Sequence, residues 1–185
     1  MRILIITALA LLLSLTGSLA ATPKGTVPLT SVTIAVDGFH CMMCPDSLQP
    51  DLTKLPGVRQ VHATLTPAQV TATLDETKQP VSAFVTAIAK HPRAMEPAQS
   101  YSAWLLIFIN GEMCSKDKHL CKLGFEDLVK YLKATKGVQS AALDDTGKVL
   151  HVAFRPGALL TTTQLTAILT KHDTGFTVKY TAPVK

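Results

Sequence analysis

Residues eighty apart in this chain match one another. Adding 80 carries Cys41 to Cys121, Leu48 to Leu128, Leu52 to Leu132, Gly57 to Gly137 and Val58 to Val138. The same shift lays Thr86-Ala87-Ile88 on Thr166-Ala167-Ile168 without a gap. Ahead of that stretch the shift is 73, taking Gly38 to Gly111 and Cys41 to Cys114. A fixed-period match of this kind means one structural unit occurring twice. The second copy carries seven extra residues, and they fall where the first copy has its cysteine loop.

Each copy has the same order of periodicities. Ser31 to Asp37 reads as a strand ending at Gly38, and Leu48, Leu52 and Leu55 then mark one helix face, stopped by Pro56-Gly57. Val61, Ala63 and Leu65 alternate, as do Val70, Ala72 and Leu74, with Pro67 between the runs, so a hairpin is expected. Val81, Phe84, Val85 and Ile88 return to helical spacing behind Pro80, and a last short strand is expected within Arg93 to Gln99. In the second copy Phe125, Leu128, Val129 and Leu132 form a helical stripe, while Leu150, Val152 and Phe154 alternate. Thr161 with Gln164 fits a capping box ahead of Leu165, Ile168 and Leu169, and Phe176 to Tyr180 reads as the closing strand.

The chemistry concentrates in Gly38-Phe39-His40-Cys41-Met42-Met43-Cys44-Pro45, at a junction from strand to helix. Two thiols at this spacing can hold one soft ion or close a redox disulfide. Free amides and the positive end of the following helix favour thiolate there, and Pro45 suits a first helical turn. His40 and Met43 stand beside the pair as candidate additional ligands, and His91 after the second helix is a candidate neighbour of the loop. Cys114 and Cys121 enclose the insertion, with Met113 and His119 close by. Three readings of them stay open: a disulfide, a wider second metal site with His119, or unpaired thiols.

With Val36-Asp37-Gly38, Cys41, Cys44, Leu48, Gly57-Val58, Val61, Asp75 and Ala87-Ile88, the first copy resembles the heavy-metal-associated domain from about Thr30 to His91. The second copy resembles it in pattern from Ser102 to Tyr180, without an aligned Cys-x-x-Cys. The resemblance implies an α+β fold, two tandem ferredoxin-like βαββαβ units, with one soft ion held by Cys41 and Cys44. Pro45 and the export signal are most similar to mercury-binding members, and copper chaperones share the rest. Hg(II) or Cu(I) is therefore the expected ion, ahead of Zn(II). Phe39, where the family usually has Met, and His40, where a small polar residue is common, depart from the pattern.

Met1-Arg2, the apolar run Ile3 to Leu13 and Ser18-Leu19-Ala20 read as a cleaved secretory signal over residues 1–20. A linker over 21–29, a first unit over 30–98 and a second over 99–183 follow. A periplasmic or secreted location is expected. Charge divides between the copies: five basic and six acidic residues from Thr30 to Ala98, eleven and seven from Tyr101 onward. Nucleic-acid binding does not fit an exported chain whose basic residues have no interleaved aromatics. An acidic partner or a membrane surface fits the basic half better.

No acid, base and nucleophile constellation accompanies the thiols, so a non-enzyme is expected. The leading reading is a monomeric soft-metal carrier that exchanges its ion with a membrane metal transporter or another thiol carrier. The competing reading is an exported thiol-disulfide oxidoreductase using Cys41 and Cys44.

Overall fold

A computed structural model describes residues 28–111, 118–172 and 176–182. The expected signal over 1–20, and Met113 and Cys114, lie outside the described residues. His119 and Cys121 fall in a helix whose first side chains also lie outside them.

The elements are β1 (Leu29–Asp37), α1 (Met43–Thr53), β2 (Val58–Thr64), β3 (Gln69–Asp75) and α2 (Val81–Lys90). They continue with β4 (Ser102–Gly111), α3 (Lys118–Ala134), β5 (Val138–Leu143), β6 (Val149–Phe154), α4 (Thr162–His172) and β7 (Phe176–Lys179). All the strand pairings are antiparallel, as an α+β fold requires. The capping box before α4 is present in both directions: Gln164 N donates to Thr161 Oγ1 at 3.2 Å, and Thr161 N donates to Gln164 Oε1 at 3.0 Å.

One sheet runs through both repeats. Its order is β2-β3-β1-β4-β6-β5, with β7 also paired to β4. Within it, β2-β3-β1-β4 and β5-β6-β4-β7 are the same four-strand arrangement, so β4 closes the first unit and opens the second. On one side β4 gives its first half to β1, with Ile34 opposite Leu105, and its second half to β7, with Ile109 opposite Val178. Its other side pairs with β6. Tyr180, just past β7, accepts a hydrogen bond from Thr33 N at 2.7 Å where β1 and β7 meet.

This arrangement corrects one expectation. No strand forms within Arg93 to Gln99; Pro92 and Ser100 make an isolated bridge, and Arg93 N donates to Gln99 O across a closed loop. The reason is competition for the edge of β1. Residues 93–99 offer Pro97, polar side chains and no alternation, whereas β4 buries Ala103, Leu105, Ile107 and Ile109 on one face.

The period-2 alternation puts Ile34, Val70, Leu105 and Val152 on a single inner face, where all are fully buried. The helices cover it with Leu48 and Leu52 from α1, Phe84 and Ile88 from α2, Phe125 and Leu132 from α3, and Leu165 and Leu169 from α4. Each such side chain contributes about 1.5–3 kcal/mol by leaving water. Among the described residues no helix is long and apolar enough to cross a membrane.

Candidate metal centre

Cys41 and Cys44 lie on the turn from β1 into α1. Gly38 starts that turn with φ +103°, a conformation side-chain-bearing residues rarely adopt, and its absent Cβ would fall 2.7 Å from Arg93 Nε. Arg93 thereby lies over the loop, and it donates from Nε to Ser100 O at 3.1 Å and from Nη1 to Gln99 Oε1 at 3.0 Å. Arg93 thus closes the loop of residues 91–100 on itself, beside the cysteine turn.

The two sulfurs are 3.5 Å apart, both free, with Cys44 buried and Cys41 partly exposed. That separation is too long for a disulfide of about 2.05 Å. With a metal–sulfur bond of about 2.3 Å, as for zinc thiolate, the pair subtends roughly 100° at an ion. A linear two-coordinate ion needs sulfurs about 4.6 Å apart on the same bond length. The chain can take either by moving the exposed Cys41 outward by about 1 Å on that geometry. Among the described residues no three His, Cys, Asp or Glu side chains converge on one point.

Helix α1 begins without a side-chain cap, since Met42 makes no capping hydrogen bond. The Cys44 amide instead donates to Cys41 O at 3.1 Å, which closes the turn into the helix. Burial opposes ionisation of Cys44, but backbone hydrogen bonds from His40 and Cys41, with smaller contributions from the Cys41 thiol and the Tyr101 hydroxyl, outweigh it. The Cys44 thiol is held below its ordinary range.

Tyr101, directly before β4, is the residue that sequence reasoning missed. Its ring is buried edge-on to Phe39 at 5.2 Å and stacked on His91 at 6.2 Å. The hydroxyl is buried with no hydrogen-bond partner at full bonding geometry, and it lies beside the Cys44 sulfur. Burial, with the neighbouring Cys44 thiol, pushes the Tyr101 pKa up, so the phenol stays protonated and can donate to a thiolate. No periodicity or spacing announces it: a lone aromatic after a polar stretch carries no signal of what the fold will place beside it.

His91 reaches the site only through Tyr101. Its Nε2 lies 3.1 Å from Asp51 Oδ2 and its Nδ1 2.8 Å from Pro92 O. His40 and Met43 are exposed, Met43 by 62%, and stand at the rim. Because β4 runs antiparallel to β1, it ends at Gly111 at the far end of the sheet from Gly38.

The chain runs through a βαββαβ order twice, sharing β4, with Cys-x-x-Cys on the first turn. This is the order that the sequence resemblance to a pair of heavy-metal-associated domains implies. No family model and no curated protein matches it. Among solved structures it is similar to the water-soluble region of the P-type ATPase CopA from Bacillus subtilis, at 19% identity over 83% of this chain and 92% of that one, with a TM-score of 0.38. It is also similar to oxidized MerP from Ralstonia metallidurans CH34, at 26% identity over 41% of this chain and 97% of that one, with a TM-score of 0.35.

Proposed function

We propose that this chain is an exported, non-enzymatic carrier of a soft metal ion. Cys41 and Cys44 bind the ion as thiolates and release it by ligand exchange. The observation that carries the reading is the free sulfur pair at 3.5 Å on an uncapped helix start, one sulfur buried and the other reachable. The buried thiolate, favoured by backbone amides and faced by Tyr101, retains the ion. An incoming thiolate adds at the exposed side, giving a three-coordinate ion before Cys41 leaves. Thiolate donors select Cu(I) and Hg(II) over hard cations. The signal expected from the sequence over residues 1–20 is what supports a periplasmic or secreted location, and a membrane transporter or second thiol carrier is the natural recipient.

Titration of the reduced protein with Cu(I) and with Hg(II) tests this. One ion per chain is expected, lost in Cys41→Ser and Cys44→Ser variants whose circular dichroism is unchanged. Undiminished stoichiometry in the double variant would sink the assignment. Reduction of a model disulfide by the metal-free protein would favour the oxidoreductase instead. The geometry argues against that role, because the thiol with the lowered pKa is the buried one.

A further inference from the structure

The second repeat stands inverted against the first, and the inversion brings one of its corners to the dithiol end of the sheet. Ser102 pairs with Asp37, the last residue of β1. Extending the Leu105–Val152 register of β4 and β6 along both strands brings Arg155 level with Ser102. A cleft of about 330 Å³ joins the two places, lined by Tyr101 and Ser102 from the site end and by Gln139, Ser140 and Phe154 from the second repeat. Next to it a wider cleft of about 710 Å³ is lined by Lys133, Lys136, Gly137, Arg155, Leu159 and Gln164 among others, with no acidic side chain.

The internal repeat shows that this corner has reversed its charge. Asp75 N donates to Gly57 O at 2.8 Å, and eighty residues on Arg155 N donates to Gly137 O at 2.8 Å, so the backbone corner is the same. In the first copy it is occupied by a buried acid, Asp75, hydrogen-bonded to Thr77 and facing Lys78 at 3.6 Å. In the second copy Arg155 replaces Asp75, Lys133 replaces Thr53 and Lys136 replaces Pro56. All three cations are exposed, and among the described residues none forms an ion pair. Arg155 donates from Nε to Val138 O at 3.2 Å, and the residue is exposed. Lys78 and Thr77 have become Ala158 and Gly157, and a Cβ on Gly157 would meet nothing within 4 Å, so the mouth is open.

We propose that this corner docks an acidic segment of the protein that exchanges the ion with Cys41 and Cys44. The proposal rests on the carrier reading and adds the chemistry of the partner to it. A concave cleft admits a protruding chain segment, which a flat bilayer surface does not supply. Point charges of this kind act chiefly on encounter rate and are screened by salt. Leu159, 70% exposed at the rim, adds an apolar contact for a segment that carries one beside its carboxylates.

The test needs no metal and so is separate from the titration above. Two synthetic peptides each carry one cysteine as a mixed disulfide with thionitrobenzoate, one flanked by glutamates and the other by lysines. The Cys41 thiolate attacks the peptide sulfur, a protein–peptide disulfide forms and the thionitrobenzoate thiolate leaves; Cys44, 3.5 Å away, can then displace the peptide thiol and close a Cys41–Cys44 disulfide, so the rate read is the release of thionitrobenzoate. At low salt the glutamate peptide is expected to be captured about tenfold faster, an advantage that fades as the Debye length shrinks. The K133E/K136E/R155E variant should reverse the order, and the matching glutamine variant should bring the two rates together. Equal rates on the unaltered protein, or a preference that survives the reversal, overturn the proposal. So does binding to phosphatidylglycerol vesicles without any peptide preference, which would give the corner to a membrane. If no soft ion binds in titration, the cargo reading fails while the capture rates still decide the corner.

Discussion

Glu76 of the first repeat caps the helix of the second through Thr162. Its carboxylate accepts from Thr162 N at 2.9 Å and from the Thr162 hydroxyl, and it also accepts from Val81 N at 3.2 Å at the start of α2. One side chain thus satisfies orphan amides at the starts of two helices, reaching 86 residues along the chain to the second of them. Glu76→Ala should lower stability by about 1–3 kcal/mol, the cost of uncapped and part-buried donors. Thermal denaturation would check it, and a loss below the resolution of the melt would show that water replaces the carboxylate.

The shared strand makes a second expectation. Leu105 is fully buried and lies opposite Ile34 on one side and Val152 on the other. Leu105→Ala should cost about 2–5 kcal/mol and lower the melting of both repeats together. Denaturation followed separately through probes in each half should give coincident transitions. Two resolved transitions, with only one shifted, would mean that the repeats fold independently despite β4.

Tyr101 should influence the thiol more than the fold. Burial raises the Cys44 pKa, yet hydrogen bonds carry it below its ordinary value. Between the folded and unfolded values the unfolded chain holds a proton that the folded chain lacks, so stability rises with pH across that window. The gain is complete above the unfolded value and is lost as pH falls through the folded one. Tyr101→Phe removes a donor, so Cys44 should titrate higher and the window narrow. The same change deletes a buried hydroxyl that makes no hydrogen bond at full bonding geometry and should leave the reduced protein as stable or more so, by up to about 1 kcal/mol. Thiolate absorbance against pH, beside melting temperature, separates the two effects. A Cys44 titration unmoved by Tyr101→Phe would remove the tyrosine from the site.

Gly38→Ala forces a side chain into positive φ and onto the Arg93 guanidinium. A cost of about 1–3 kcal/mol is expected from the backbone strain alone. Displacing Arg93 also frees the loop of residues 91–100, so the bound ion should exchange faster with a competing thiol. Stopped-flow transfer to a chelator measures this. Unchanged exchange in a folded variant would mean that the loop does not guard the cysteines.

How much of this could be read from residues alone divides along a physical line. Local signals carried through: the alternation of Val70, Ala72 and Leu74, the spacing of Leu48 and Leu52, the Thr161–Gln164 box and the turn at Gly38 each act over a few residues. The repeat of 80 carried through for the same reason, since each copy repeats its own local code. Cys41 and Cys44 were legible because a thiol pair beside a helix start is a sequence-local object.

What the sequence did not show was decided by competition between distant segments. Two stretches could have stood beside β1, and the apolar alternation of residues 102–111 displaced the expected strand in 93–99. That choice joined the repeats into one sheet and inverted the second copy. It also set Tyr101, at the mouth of the shared strand, against Cys44, and brought Arg155 to the dithiol end. The sequence determined two copies of one unit and the sulfur pair that one of them carries. Only the tertiary structure decided which residues surround that pair, because strand pairing is settled by long-range burial and not by any residue's near neighbours.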